Sequence, residues 1–87
     1  MLPSKILSQG IWWTVRLSDD IDDCGQTDYA AQTIIIRASL SPELQLATLI
    51  HEIFHTLNST IDHTLLDSLS LQVFQVLTEN NLWTLNN

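Results

Sequence analysis

The sequence predicts an α+β domain in which a small three-stranded sheet packs against two helices. Three stretches carry that expectation. Thr33-Ile34-Ile35-Ile36-Arg37 is a continuous β-branched run, the pattern of a central strand buried on both faces. Ile11-Trp12-Trp13-Thr14-Val15-Arg16-Leu17 sets Trp13, Val15 and Leu17 against Trp12, Thr14 and Arg16, as a strand with one buried face does. From Leu44 to Leu57 apolar residues recur without a Gly or Pro, which reads as a buried helix.

The elements follow in order. Residues 1–9 read as irregular or lightly structured. The first strand is expected near 11–17, and the acidic run Asp19-Asp20-Ile21-Asp22-Asp23 follows it as a loop. Residues 24–28, Cys24-Gly25-Gln26-Thr27-Asp28, suit a short second strand, with a turn near Tyr29-Ala30-Ala31 before the third strand at 33–37. Ser41-Pro42-Glu43 opens the first helix, expected over 42–57. Serine caps a helix, proline is tolerated at its first position, and glutamate meets the positive end of its dipole. Short polar residues at Asn58-Ser59-Thr60 suit its end. A second helix is expected over 62–80, with Asp62 as candidate N-cap. Its apolar set of Leu65, Leu66, Leu69, Leu71, Val73, Phe74, Val76 and Leu77 is wider than one stripe. Leu82, Trp83 and Leu85 add apolar weight to the tail, for contact with another chain or for folding back on the core.

The first helix carries His51-Glu52-Ile53-Phe54-His55, an HExxH pattern. Residues four apart on a helix lie one turn above each other on the same face, so His51 and His55 can both turn a ring nitrogen to one metal ion. Glu52 is adjacent around the helix and can take a proton from a water at that metal. Neutral imidazoles suit zinc, Zn2+, and a catalytic zinc needs a third protein ligand while leaving a position for water. His63, Asp67 and Asp62 compete for that role. Imidazole is a preferred zinc ligand, which places His63 first. Asp67 lies one turn beyond His63 and either orients it from behind or is itself the ligand. An ordinary i,i+4 surface pair of His63 and Asp67 is the plain alternative.

Composition bounds the rest. The 87 residues, 45% of them apolar, suffice for one small core and read as a single domain over 1–87. Ten acidic residues against Lys5, Arg16 and Arg37 give a net charge of −7, which disfavours binding to nucleic-acid phosphates. A solvated loop is the plain reading of Asp19–Asp23, and a second cation site or a patch for a basic partner are the sharper ones. Calcium fits poorly, because the Gly and closing Glu of an EF-hand loop are missing. The single Cys24 excludes an internal disulfide and fits a reducing, cytoplasmic setting. Without a CxxC partner it reads as a packed or strand thiol rather than a ligand. No stretch is long enough to span a membrane, and the opening residues lack the apolar run of a secretory signal.

Ile34-Ile35-Ile36-Arg37, Leu40-Ser41-Pro42-Glu43 and Thr48-Leu49-Ile50-His51-Glu52-Ile53-Phe54-His55 together resemble small phage and prophage HExxH proteins, distant relatives of the ImmA/IrrE-type and SprT-like zincins. Cys24–Tyr29 is similar to the family's strand before the hairpin turn, and Gln75–Asn80 to its helical ending. The resemblance implies a minimal zincin-like core: a small sheet, an active helix and a second helix that supplies the last ligand. ImmA-like relatives commonly use a Glu there, where this chain has His63, three residues before Leu66. The implied function is a phage- or prophage-encoded zinc metallopeptidase of the host cytoplasm, with Glu52 as general base. ImmA-like relatives cut repressors, which implies a regulatory protein or peptide substrate. A second reading comes from another class. It is a non-catalytic phage structural or binding protein, virion-associated, with a structural or vestigial metal site. It would assemble with itself or with a phage or host protein through the apolar C-terminal region. A peptidase keeps an open cleft beside the metal, whereas an assembly protein has it closed or covered by a neighbouring copy.

Overall fold

A computed structural model of the chain describes residues 2–83. Strands β1 Lys5–Ser8, β2 Ile11–Ser18, β3 Gly25–Asp28 and β4 Thr33–Arg37 precede helices α1 Pro42–Leu57 and α2 His63–Glu79. The strands form one mixed sheet in the order β1-β2-β4-β3. β2 and β4 are parallel, and the two outer pairs are antiparallel. The class is α+β, with four strands where the sequence predicts three.

The extra strand, β1, occupies the stretch read as irregular or lightly structured. Its inward position at Ser8 is polar and bonds Thr56 Oγ1 of α1 at 2.8 Å, so the apolar alternation that marks a strand is interrupted there. Gln9 and Gly10, with φ of 50° and 79°, form the two-residue left-handed turn into β2. β4 is central, and Ile34, Ile35 and Ile36 are all buried, as a strand covered on both faces requires. In β2 the alternation holds for Trp13 and Val15, while Leu17, also expected inward, is 49% exposed near the end of the strand.

Trp13, Val15, Ile34 and Ile36 meet Leu49 of α1 in the core, flanked by Leu2, Ile6, Leu40 and Ile53. The helix limits follow their caps. The Ser41 side chain accepts from Leu44 N, with Pro42 first in α1, and the Asp62 carboxylate accepts from Leu65 N at 2.9 Å at the start of α2. The two helices do not share the sheet, contrary to the sequence expectation. α1 packs on β1, β3 and β4, and α2 packs on α1 alone. An amphipathic pattern says that a helix has an inward face without saying what covers it. Leu66, fully buried, anchors α2, while Leu65, Leu69, Val73 and Val76 stay exposed along its flank.

The acidic loop carries its own cation. Arg37 donates from Nε to the Asp23 carbonyl and from Nη2 to the carbonyls of Ile21 and Asp22, and Asp19 Oδ1 accepts from Ser39 N at 2.8 Å. Backbone oxygens that a bound ion would use are thus taken by a guanidinium. Paired residues of neighbouring strands share a face, so the register puts Lys5, Arg16 and Arg37 on the face opposite α1. Leu82 and Trp83 turn back to the Leu77 carbonyl through their N–H groups, with Leu82 66% exposed; Leu85 lies outside the described residues. Among the described residues no helix is long and apolar enough to cross a membrane.

Gly25 lets β3 lie close to α1. A Cβ at this position would come 2.6 Å from Thr48 Cγ2, 3.2 Å from Glu52 Cγ and 3.3 Å from the Ile35 carbonyl oxygen. Thr48 is β-branched and cannot swing its methyl away freely in a helix. Gly25→Ala should therefore lower unfolding free energy by about 1–3 kcal/mol. Thr48→Ser removes the nearest atom, and in the double variant should recover part of that loss. Urea unfolding of the four chains measures the coupling, and additive single effects would show that the close approach is not what the glycine serves.

Candidate metal centre

The helical repeat of α1 and the cap of α2 bring three imidazoles to one point. One ring nitrogen from each of His51, His55 and His63 lies within 4.8 Å of the others, a group that could hold a metal ion. The ring centroids are 5.0 Å apart for His51 and His55, 5.9 Å for His51 and His63, and 5.5 Å for His55 and His63. His51 and His55 are half-buried on α1, and His63 is exposed in the first turn of α2. Asp62, a competitor for the third place in the sequence, spends its carboxylate on the cap of α2. A site closed by three protein nitrogens leaves a position for water or substrate.

Asp67 is beside this group and not one of its members. Its Oδ1 is 3.5 Å from His51 Nδ1, so the carboxylate backs the α1 histidine and not its own-helix neighbour His63. The i,i+4 spacing on α2 suggests the latter, but the helix crossing turns Asp67 toward α1. A carboxylate beside one imidazole nitrogen favours a proton there and leaves the other nitrogen free to donate to a metal.

Glu52 is buried, with 6% of its surface exposed. Thr27 Oγ1 of β3 donates to its Oε1 at 2.9 Å, and Oε2 lies 3.8 Å from His51 Nε2. A buried carboxylate is costly without a donor, so this single threonine does much to hold Glu52 in place. Tyr29 OH, past the end of β3, donates to the His55 carbonyl at 2.8 Å and ties the following turn to α1. Burial, then the Glu52 charge, holds the Tyr29 phenol above its ordinary 10.0. Burial holds the His55 imidazole below its ordinary 6.5; Glu52 opposes this shift, and His51 and His63 reinforce it. The shift favours the neutral form of His55, the form that binds metal.

The group opens onto a cleft of about 560 Å³ between β3, α1 and α2. Its walls include Cys24 and Gly25 from the strand side, Ala47 and Thr48 from α1, and Ser70 from α2. Cys24, exposed in this wall, is not part of the histidine group. Sequence reasoning missed Thr27, Gly25, Tyr29 and Ser70. A glycine inside a strand is a general sign of close backbone approach, and Ser70 lies two turns beyond His63 on one helical stripe. Thr27 and Tyr29 carry no local signal, because their partners are fixed by how β3 registers against α1.

Metal titration by calorimetry should give about one ion per chain, and His63→Ala should weaken it more than Asp67→Ala, for which a loss on the order of 10–100-fold is expected. The reverse order would make Asp67 the ligand. The metal-free chain carries a pH signature as well. Folded His55 protonates less readily than unfolded, so its contribution is present above 6.5 and is lost as pH falls from there through the lowered value. Thermal melts from pH 8 to 5 should show this loss, and His55→Ala should flatten it.

No protein-family model, no curated protein and no solved structure matches this chain.

Proposed function

We propose that the chain is a zinc metallopeptidase built on a zincin-like core. The observation that carries this reading is the placement of Glu52, an enclosed carboxylate beside three convergent histidines at the mouth of an open cleft. The donor set fits zinc, which takes imidazole nitrogens in sites with three protein ligands and an open position. Bound there, zinc would supply Lewis acidity, lowering the pKa of water and polarising a carbonyl.

The chain's own residues supply the rest. His51, His55 and His63 would hold the ion, and Asp67 would fix the tautomer of His51. Glu52 accepts the proton of the attacking water and later returns it to the leaving amine nitrogen. Thr27 orients the carboxylate for that exchange through its hydrogen bond to Oε1. A protein or peptide substrate, a phage or prophage origin and action in the host cytoplasm belong to the same proposal, through the resemblance of the HExxH helix and its flanks. The alternative is a non-catalytic phage structural or binding protein that keeps the site for stability or as a relic. It draws on the exposed flank of α2, where Leu65, Leu69, Val73 and Val76 form an apolar row.

Glu52→Gln separates the two. It should keep zinc, measured by metal analysis, while hydrolysis of a peptide library falls to background. Wild-type protein that holds zinc and cuts nothing in the library would leave the non-catalytic reading. Thr27→Val should lower kcat by about tenfold to hundredfold with zinc affinity unchanged, and Thr27→Ser should restore it.

A further inference from the structure

We propose that the chain associates head to tail, with the exposed flank of α2 in one copy lying on the uncovered face of the sheet in the next. The inference does not depend on the metal site or on the peptidase reading. Two surfaces of the molecule lack cover. α1 packs on one side of the sheet and α2 packs on α1, so among the described elements no helix covers the other side. Strand register puts Lys5, Leu7, Trp12, Arg16 and Ile35 on that open side. Ile35 is buried there, but Leu7 and Trp12, paired across β1 and β2, stand 57% and 55% exposed. The second surface is the row Leu65, Leu69, Val73 and Val76, all exposed, which the helical repeat sets within about 80° of arc on α2. Asp67 and Leu71, which line the cleft, lie on the other flank of the helix, so a contact along this row leaves the cleft open.

Charge decides what each surface meets. α2 and its cap carry Asp62, Asp67 and Glu79 and no lysine or arginine, and Asp62 and Glu79 bound the apolar row at its two ends. Paired antiparallel with itself about a two-fold axis, the row would set Asp62 of one copy against Glu79 of the other at both ends, and like charges oppose that pairing. The open face of the sheet holds all three lysines and arginines of the chain. Arg37 is engaged by loop carbonyls, and Lys5 Nζ lies 4.6 Å from the centre of the Trp12 ring. Arg16 is exposed, and the ion pairs among the described residues, both made by His51, do not include it. The carboxylate on this face, Asp28, sits on the edge strand β3 and accepts from Ala31 N. Copies of net charge −7 repel one another in general, and α2 against the open face is the pairing in which opposite charges meet. The lengths agree, since α2 with 17 residues and β2 with 8 each run about 26 Å. The two surfaces differ, so the contact is heterologous and each assembly ends in one open sheet and one open helix. A single helix makes a narrow footprint, which sets a weak contact with Kd on the order of 10–100 μM.

Sedimentation velocity with one equivalent of zinc tests this. The mean mass of the wild type should rise from one chain at about 5 μM to more than two at about 1 mM. Arg16→Glu alters the sheet face and Val76→Lys the helix row, both at exposed positions, and each variant alone should stay monomeric. Mixed in equal amounts they should form dimers and nothing larger, because one intact helix row then meets one intact sheet face. Thermal melts check that both variants fold, and Lys5→Glu and Leu65→Lys replace any that does not. A wild type that stays monomeric throughout, or a mixture that does not associate, overturns the proposal. Self-association of Arg16→Glu alone would show helix row against helix row, and that of Val76→Lys alone sheet against sheet; either overturns it as well.

Discussion

The hydrogen bond from Thr27 to Glu52 joins the edge strand β3 to α1, and the rest of the site depends on it. Glu52 must be enclosed to lie beside the histidines, and an enclosed carboxylate needs a donor. The donor comes from β3, so β3 must run close to α1. Gly25 makes that approach sterically feasible, and Tyr29 repeats the tie at the other end of the strand. β3 in turn is held by β4, whose three isoleucines are all buried. The chain of dependence thus runs from a hydrophobic centre outward to one carboxylate.

The acidic loop takes its place in this arrangement through a charge of opposite sign. Five residues with four aspartates would repel one another and stay open if left to solvent. Arg37, at the end of β4, gathers three successive carbonyls of that run instead. The loop is drawn back over the sheet end and delivers Asp23, Cys24 and Gly25 to the cleft. Arg37 is therefore an internal fastener, and in the acidic run Asp19 binds the Ser39 backbone while Asp23 lines the cleft.

What was legible in the sequence was whatever local chemistry encodes. Ser41-Pro42 and Asp62 set the helix starts, the isoleucine run set the central strand, and the i,i+4 repeat set two of the three histidines on one face. What was hidden depends on tertiary register. β1 escaped because its inward Ser8 finds a hydroxyl on α1 rather than an apolar neighbour. Thr27 is unremarked in sequence because nothing near it mentions Glu52. Asp67 was paired with His63 by helical spacing, whereas the crossing of α2 over α1 gave it to His51. The stacking of sheet, α1 and α2 could not be read from amphipathic width, which is satisfied equally by a sheet or a helix.

That stacking also decides how a metal would act on the fold. Among the secondary-structure elements α2 packs against α1 alone, its one fully buried large side chain is Leu66, and an apolar flank stays exposed. A bound ion would join His51 and His55 of α1 to His63 at the head of α2. The loop so closed is short, since His55 and His63 stand only eight residues apart. Loop-closure entropy grows with the logarithm of length, so this cross-link restricts the unfolded chain little. Its stabilising effect falls instead on the docked state of α2, the state in which Asp67 backs His51 and Ser70 lines the cleft. Metal binding would then be coupled to the docking of α2, while the sheet and α1 share a core of Trp13, Val15, Ile34, Ile36 and Leu49 that does not include the histidines.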